Sequence, residues 1–115
     1  MRDTKIYLQD ILDAMEAIEN FVVDFDLEGF KINDMLSSAV IRKFEVIGEA
    51  AKNVPKDITK KYPDVPWKKM AGMRDRLIHF YFGIKYDLVW HTIKAEIPRI
   101  KPLIKRILTE IEGEK

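Results

Sequence analysis

The sequence contains no cysteine and only two histidines, His79 and His91. Without thiols the chain can form no disulfide, no thiolate metal site and no cysteine nucleophile. Two histidines are also too few for a histidine-rich metal centre. These counts argue against a thiolate or histidine-rich metal centre, and we predict a protein that uses neither a metal nor a cofactor.

Long apolar runs are missing as well. None approaches the ~20 residues that a membrane-spanning helix needs, and the charged start of the chain, MRDTKIYLQDILDAME, is unlike a signal peptide. The composition, 47% hydrophobic and 34% charged, is typical of a globular protein. We therefore expect a cytoplasmic protein in which the 115 residues form one domain.

The net charge of +1 conceals an uneven distribution along the chain. Residues 1–35 hold nine acidic and three basic residues, whereas residues 52–76 hold eight basic and three acidic ones. A basic middle segment suits an anionic partner, although a solvated lysine face is the commoner origin of such a pattern.

Apolar residues recur at helical spacing through most of the chain. Residues 4–23 and 33–54 each predict a long amphipathic helix, and the apolar face of the second is wide enough to be shared with another subunit. Three prolines limit residues 55–66 to at most one short helical turn. Residues 67–82 predict a further helix that ends at Gly83. The core-facing side of that helix is expected to carry Met73, Leu77, Phe80 and Ile84.

The last predicted helix begins near Asp87 and carries a stripe of isoleucines. These are Ile93, Ile97, Ile100, Ile104, Ile107 and Ile111. Pro98 and Pro102 remove backbone donors within this helix, so we expect a kink or break near Pro98. No segment alternates with period two for long enough to predict a strand. The predicted fold is all-α, an up-and-down bundle of four to five helices that forms a single domain over residues 1–115.

One short stretch, GMRDRLIHFYFG at residues 72–83, combines core and reactive residue types. It places Arg74, Asp75, Arg76, His79 and Tyr81 within an otherwise apolar run. On an uninterrupted helix Asp75 and His79 share one side, whereas Arg74 lies about 140° round the axis from His79. A ligand approached from both flanks, or a second copy of the helix, would bring Arg74 and His79 together.

Arginine and histidine can act together in phosphate chemistry. Arginine presents a planar, permanently charged fork that fits a phosphate, and histidine moves protons near neutral pH. Together they can cleave RNA without a metal: a base removes the 2′-hydroxyl proton, the oxygen attacks the adjacent phosphate, and arginine stabilises the added charge. DNA lacks that internal nucleophile.

Each of these residues also has a purely structural explanation. An aspartate and a histidine four residues apart on a helix commonly form a structural pair, as Asp75 and His79 would. Arg74 can bridge to neighbouring acids, and Tyr81 can serve as aromatic packing. His91 follows Trp90 without any nearby polar constellation, so we assign it a structural role.

The spacing of arginine, four residues, histidine, one residue and tyrosine, at Arg74, His79 and Tyr81, resembles the signature of the HepT toxins in the HEPN superfamily. The flanking segments are similar to that family in order and spacing. They are IGEAAKNV (47–54), VPWKKMAGMRDRLIH (65–79), YDLVWHTI (86–93) and IPRIKPLI (97–104). The resemblance covers nearly the whole chain.

This resemblance implies a homodimeric helical ribonuclease with a HEPN-like fold, in which two copies of the motif line one cleft. HepT proteins are toxins whose antitoxin, MntA, is a nucleotidyltransferase that silences them by moving AMP from ATP to the motif tyrosine. By position, Arg74 and His79 become the catalytic pair and Tyr81 the AMP acceptor. Asp75 becomes the polar residue after the arginine; its four-residue offset from His79 on a helix suggests that it assists catalysis by orienting the imidazole.

Three further cations, Arg76, Lys68 and Lys69, are expected to contact RNA. The alternative function is a non-catalytic helical module that binds RNA or a nucleotidyltransferase through the same surface. A third possibility is a dimeric bundle whose polar cluster only specifies the interface. In the first hypothesis RNA is cut, in the second RNA or a nucleotidyltransferase is bound without cleavage, and in the third the cluster acts only in the dimer interface.

Overall fold

The chain folds into a bundle of α-helices, as the apolar spacing predicts. The structure, a computed structural model, describes residues 2–79, 81 and 83–113. In chain order the elements are α1 (Arg2–Val22), α2 (Leu27–Ile32), α3 (Asp34–Asn53), α4 (Lys56–Lys61), α5 (Trp67–Ala71), α6 (Met73–Leu77), β1 (Ile78–His79), β2 (Gly83–Ile84), α7 (Tyr86–His91), a π-helical segment (Thr92–Glu96) and α8 (Ile97–Gly113). No helix in the described part of the chain is long and apolar enough to span a membrane.

The long helices α1, α3 and α8 supply most of the core. Leu8, Phe44 and Ile104 are among its fully buried side chains, and every member of the isoleucine stripe is buried. Both long helices predicted in the first half of the chain are present within two residues of their expected ends. Asn33 caps the N-terminus of α3: its side-chain oxygen accepts a hydrogen bond from the Leu36 amide at 2.9 Å.

Helix α2 lies between the two long helices predicted over residues 4–23 and 33–54, in a stretch for which no helix was predicted. The Asp26 side chain accepts a hydrogen bond from the Gly29 amide at 2.8 Å and so caps the helix. Phe30 is then fully buried, with its ring centroid 6.0 Å from that of Tyr86 and 5.4 Å from that of Trp90. A six-residue helix is marginal by itself, so these aromatic contacts with α7 stabilise it.

The proline-rich connection between α3 and α5 packs against the bundle. It contains α4, in agreement with the expected single short turn of helix, and it buries Ile58 and Val65. The Tyr62 hydroxyl donates to Glu110 Oε1 at 2.8 Å, and Trp67 Nε1 donates to the Tyr62 carbonyl at 2.9 Å. These bonds attach the connection to α8 and to the start of α5.

The irregularity expected near Pro98 is a change of helix type. Residues 92–96 are π-helical and lead directly into α8, while Pro102 lies inside α8. Pro98 cannot donate to the Lys94 carbonyl and its ring displaces that carbonyl, which favours a wider turn just before it. The apolar phase continues across the change, because Ile93 and Ile97 are both buried.

The single helix predicted over residues 67–82 is wrong. Gly72 separates α5 from α6, and the helix ends at Leu77. Ile78 is extended, with φ −125° and ψ 129°, and it begins a short antiparallel hairpin. The expected core position of Phe80, and the residue Phe82 at the predicted helix end, lie outside the described residues.

In the hairpin, Ile78 pairs with Ile84 and His79 pairs with Gly83. The Lys85 amide donates to the Leu77 carbonyl at 2.8 Å and closes its base. Gly83 was expected to end a helix, but it has φ +79° and serves the turn of the hairpin. The prediction that the chain contains no strand is therefore wrong at this point.

Helix α5 approaches α3 closely at Gly48. A Cβ atom at this position would stand 3.3 Å from the carbonyl oxygens of both Met70 and Ala71. Glycine permits the approach because it carries no side chain. Since α6 follows α5 after a single residue, the contact also sets where α6 lies along α3.

We expect Gly48→Val to lower the free energy of unfolding by about 1–3 kcal/mol, because the new side chain must push two backbone carbonyls away. The urea unfolding midpoint measures this change. Gly113→Val is the control, since in the described part of the chain, its own helix backbone and chain neighbours apart, no atom lies within 4 Å of a Cβ at Gly113. Equal midpoints for the two variants would contradict the assigned role of Gly48.

We expect Gly83→Ala to strain the hairpin, because an L-residue with φ near +79° costs about 1–2 kcal/mol. The Lys85 amide closes the hairpin, so its hydrogen exchange should become about tenfold faster, the factor that corresponds to this free-energy cost. Gly72→Ala is the control, because Gly72 has φ −96°. Unchanged exchange at Lys85 would argue against this turn geometry.

Candidate functional site

Arg74 leaves α6 towards α3, where it meets a carboxylate. Its Nε donates to Glu45 Oε2 at 2.7 Å, a charge-assisted hydrogen bond. The other oxygen, Glu45 Oε1, lies 3.7 Å from Arg42 Nη1, and Arg74 Nη1 lies 3.8 Å from Asp75 Oδ1. Glu45 therefore lies between two guanidinium groups.

Arg74 and Asp75 line an open groove of about 510 Å³ between α1, α3 and the α5–α6 segment. Its other lining residues are Tyr7, Asp10, Arg42, Glu45, Val46, Gly48, Glu49, Ala50, Lys52, Asn53 and Ala71. Four carboxylates and three cations thus share the groove. Because the charges are mixed, an anion here would be held by individual guanidinium groups and not by a uniformly positive field.

His79 and Tyr81 are presented by the hairpin. The Tyr81 backbone amide donates to His79 Nδ1 at 3.2 Å, and the two ring centroids are 6.5 Å apart. While this hydrogen bond is made, the proton of the neutral imidazole resides on Nε2. The Tyr81 side chain is 83% exposed, so its ring is accessible to another protein.

The expected geometry of the motif on one continuous helix is wrong. The helix ends two residues before His79, so His79 is not one helical turn from Asp75. Asp75 lies beside Arg74 with its side chain 89% exposed. Arg74 and His79 come from different elements, α6 and the hairpin, and the angular separation calculated for a single helix does not apply to them.

The cations expected to contact RNA differ in their surroundings. Lys68 and Lys69 are exposed on α5, and Lys69 Nζ lies 3.6 Å from Glu96 Oε1. The hydrogen bond from Arg99, and then the charge of Lys69, lower the pKa of the Glu96 carboxyl. Arg76 is half-buried, and its Nη1 has no hydrogen-bond partner among the described residues. Arg76 is therefore less accessible to a phosphate than either lysine.

Sequence reasoning missed the α3 side of the groove. Arg42, Glu45, Glu49 and Lys52 follow one another at three- and four-residue intervals. This spacing forms a polar stripe on α3 and was visible in the sequence. The contact between this stripe and Arg74, made by Glu45, could not be predicted from the sequence.

The described ranges contain no group of three or more histidine, cysteine, aspartate or glutamate side chains arranged to hold a metal ion. His91, the last residue of α7, is exposed.

Comparison with known proteins places these residues in a family. The family model described as "Ribonuclease HepT-like" matches residues 11–107, which include the groove-lining part of α3, α6 and the whole hairpin. No solved structure matches the chain significantly.

Three relatives match along nearly their whole length. A Methanocaldococcus jannaschii protein named "Putative RNase MJ1216" is 51% identical over 113 residues, 98% of this chain and 93% of the relative. A second protein of that organism, "Putative RNase MJ0125", is 53% identical over 111 residues, 96% of each chain. "Probable ribonuclease HepT" of Thermococcus cleftensis is 43% identical over 106 residues, 92% of this chain and 96% of the relative. The chain belongs to the HepT-like ribonuclease family.

Proposed function

We propose that this chain is a metal-independent endoribonuclease, the toxin of a toxin–antitoxin pair, and that residues 1–115 form one domain. The observation that carries the proposal is an arginine, Arg74, lining an open groove in a member of a ribonuclease family. The names of the relatives support RNA as the substrate. Arg74 and His79 are the proposed catalytic residues, and Asp75 assists beside Arg74.

The reaction uses the 2′-hydroxyl of the substrate. Its oxygen forms a bond to the adjacent phosphorus while the bond from phosphorus to the 5′-oxygen breaks, and the 5′-oxygen takes up a proton. The products are a 2′,3′-cyclic phosphate and a 5′-hydroxyl. Arg74 stabilises the charge on the phosphorane. His79 transfers the protons. Its Nε2–H can donate to the 5′-oxygen. Its Nδ1 can accept the 2′-hydroxyl proton once the hydrogen bond from the Tyr81 amide has broken.

A homodimer would complete the cleft. Helix α3 carries a second apolar set beside its core-facing stripe, and part of that set remains accessible. Met35 is 85% exposed, and Ala39 and Val46 are half-buried, whereas Ala50 is buried. A second subunit covering this face would lie along the helix that lines the groove, and could add its own Arg74 or His79 to the cleft.

Tyr81 is the proposed site of silencing by an MntA-like nucleotidyltransferase antitoxin. Its hydroxyl oxygen would form a bond to the α-phosphorus of ATP, and pyrophosphate would leave. The Tyr81 ring is exposed and lies 6.5 Å from the His79 ring, centroid to centroid. An attached AMP would therefore put a charged phosphate and a nucleoside beside the imidazole and hinder the approach of RNA.

Purified protein incubated with RNA and a chelator is expected to produce fragments that end in 2′,3′-cyclic phosphate. His79→Ala should slow this cleavage by about 100-fold or more, since a positioned acid–base group contributes that much. His91→Ala is the matched control and should cleave at the normal rate.

Unchanged cleavage by His79→Ala would refute the assigned role of His79. RNA that the unaltered protein binds but does not cut would instead favour the non-catalytic binding module, in which Arg74→Ala weakens affinity in a salt-dependent way.

Incubation with an MntA-like nucleotidyltransferase and ATP should increase the mass of the chain by whole AMP units and abolish cleavage. Tyr81→Phe should remain unmodified and active. Tyr86→Phe is the control and should be modified normally, because Tyr86 is half-buried against Phe30. Modification of the Tyr81→Phe variant would show that the acceptor lies elsewhere.

A further inference from the structure

Glu45 is in an unexpected position for a phosphate-binding site. Its carboxylate would repel a phosphate, yet it makes the shortest contact recorded for the Arg74 side chain, 2.7 Å from Nε. The Glu45 side chain is 31% exposed, so most of it is covered by protein. By comparison, the pair between Arg106 and Asp64 spans 3.3 Å, with each side chain at least half exposed.

The contact engages only one edge of the guanidinium. Arginine has five N–H donors, and Glu45 accepts from the single N–H on Nε. The terminal nitrogens Nη1 and Nη2 form the fork that matches two phosphate oxygens. Asp75 Oδ1, 3.8 Å from Nη1, is beyond hydrogen-bond distance. The Glu45 contact and a phosphate on the fork are therefore geometrically compatible.

Glu45 also restrains a side chain that would otherwise be mobile. The Arg74 side chain is 56% exposed, and a long exposed arginine samples many rotamers. Arg42 lies 3.7 Å from the other carboxylate oxygen of Glu45. Arg42, Glu45 and Arg74 together carry one positive charge, which Asp75, 3.8 Å from Arg74 Nη1, balances.

We propose that Glu45 is a positioning residue, which holds Arg74 by its Nε so that the terminal fork of the guanidinium faces the scissile phosphate of RNA in the groove. This inference rests on the proposed ribonuclease function. Glu45 itself touches neither the substrate nor the reacting atoms and acts through Arg74.

The test is a set of four variants in single-turnover cleavage of an RNA oligonucleotide. Glu45→Ala should lower the rate constant by about 10- to 100-fold with a smaller change in half-saturating concentration, because misplacement of a catalytic group mainly affects the chemical step. Glu45→Gln should recover most of the rate, since the amide oxygen still accepts from Nε. The double variant Glu45→Ala/Arg74→Ala should be no slower than Arg74→Ala.

Asp64→Ala is the matched control. It removes another carboxylate that pairs with an arginine on a different segment, Arg106 on α8, and Asp64 does not line the groove. Its cleavage rate should be normal. A faster Glu45→Ala variant would show that Glu45 competes with the phosphate. A normal rate in Glu45→Ala, or an additive loss in the double variant, would also overturn the proposal.

A second measurement separates failure of this inference from failure of the proposed function. The Nε–H resonance of Arg74, assigned by its absence in Arg74→Lys, should exchange slowly with water in the unaltered protein and quickly in Glu45→Ala. Equal exchange in both would overturn the positioning role whether or not RNA is cut.

If the protein cuts no RNA, the ribonuclease function fails, and binding of a 2′-O-methyl RNA oligonucleotide becomes the readout. In that case Glu45→Ala should weaken binding only when Arg74 is present. Equal weakening in the Arg74→Ala background would overturn the positioning role there too.

Discussion

The approach of α5 to α3 at Gly48 is the constraint on which the site depends. The carbonyls of Met70 and Ala71 lie where a side chain at position 48 would otherwise be. Because α6 follows α5 after one residue, this backbone contact sets the position along α3 at which Arg74 meets that helix. Glu45 precedes Gly48 by three residues, a little less than one helical turn, so the packing contact and the ion pair lie on adjacent turns of one helix.

The groove combines charges of both signs, and this composition shapes how it can recognise an anion. A chain with a net charge of +1 attracts RNA only weakly from a distance. Recognition must then come from a few oriented donors at short range, of which Arg74 is the best placed. In the site proposed above, the direction of the Arg74 guanidinium matters more than the number of cations, and Glu45 contributes by fixing that direction.

The long helices could be predicted because their periodicity persists for about twenty residues. Helix α2 could not, since it depends on Phe30 meeting Tyr86 and Trp90, which lie far along the chain. The hairpin escaped prediction because its strands have two residues each, too few to show a period, and they directly follow the helix-forming residues of α5 and α6.

The same contrast holds for the site. Arg74, His79 and Tyr81 were selected by residue type, spacing and the resemblance to the HepT toxins, without any knowledge of their surroundings. The partner of Arg74 is 29 residues away on α3, and only the packing of the bundle brings it there. Sequence patterns thus named candidate side chains, whereas the surroundings of those side chains depend on tertiary contacts.

One hydrogen bond to His79 comes from the main chain of the hairpin, where the Tyr81 amide donates to Nδ1. Every residue except proline carries that donor. The side chain at position 81 can therefore diverge during evolution while the imidazole keeps its partner. Under the proposed function, a descendant that lost the tyrosine would lose its site of silencing but keep this hydrogen bond to the histidine, so regulation and catalysis could be inherited separately.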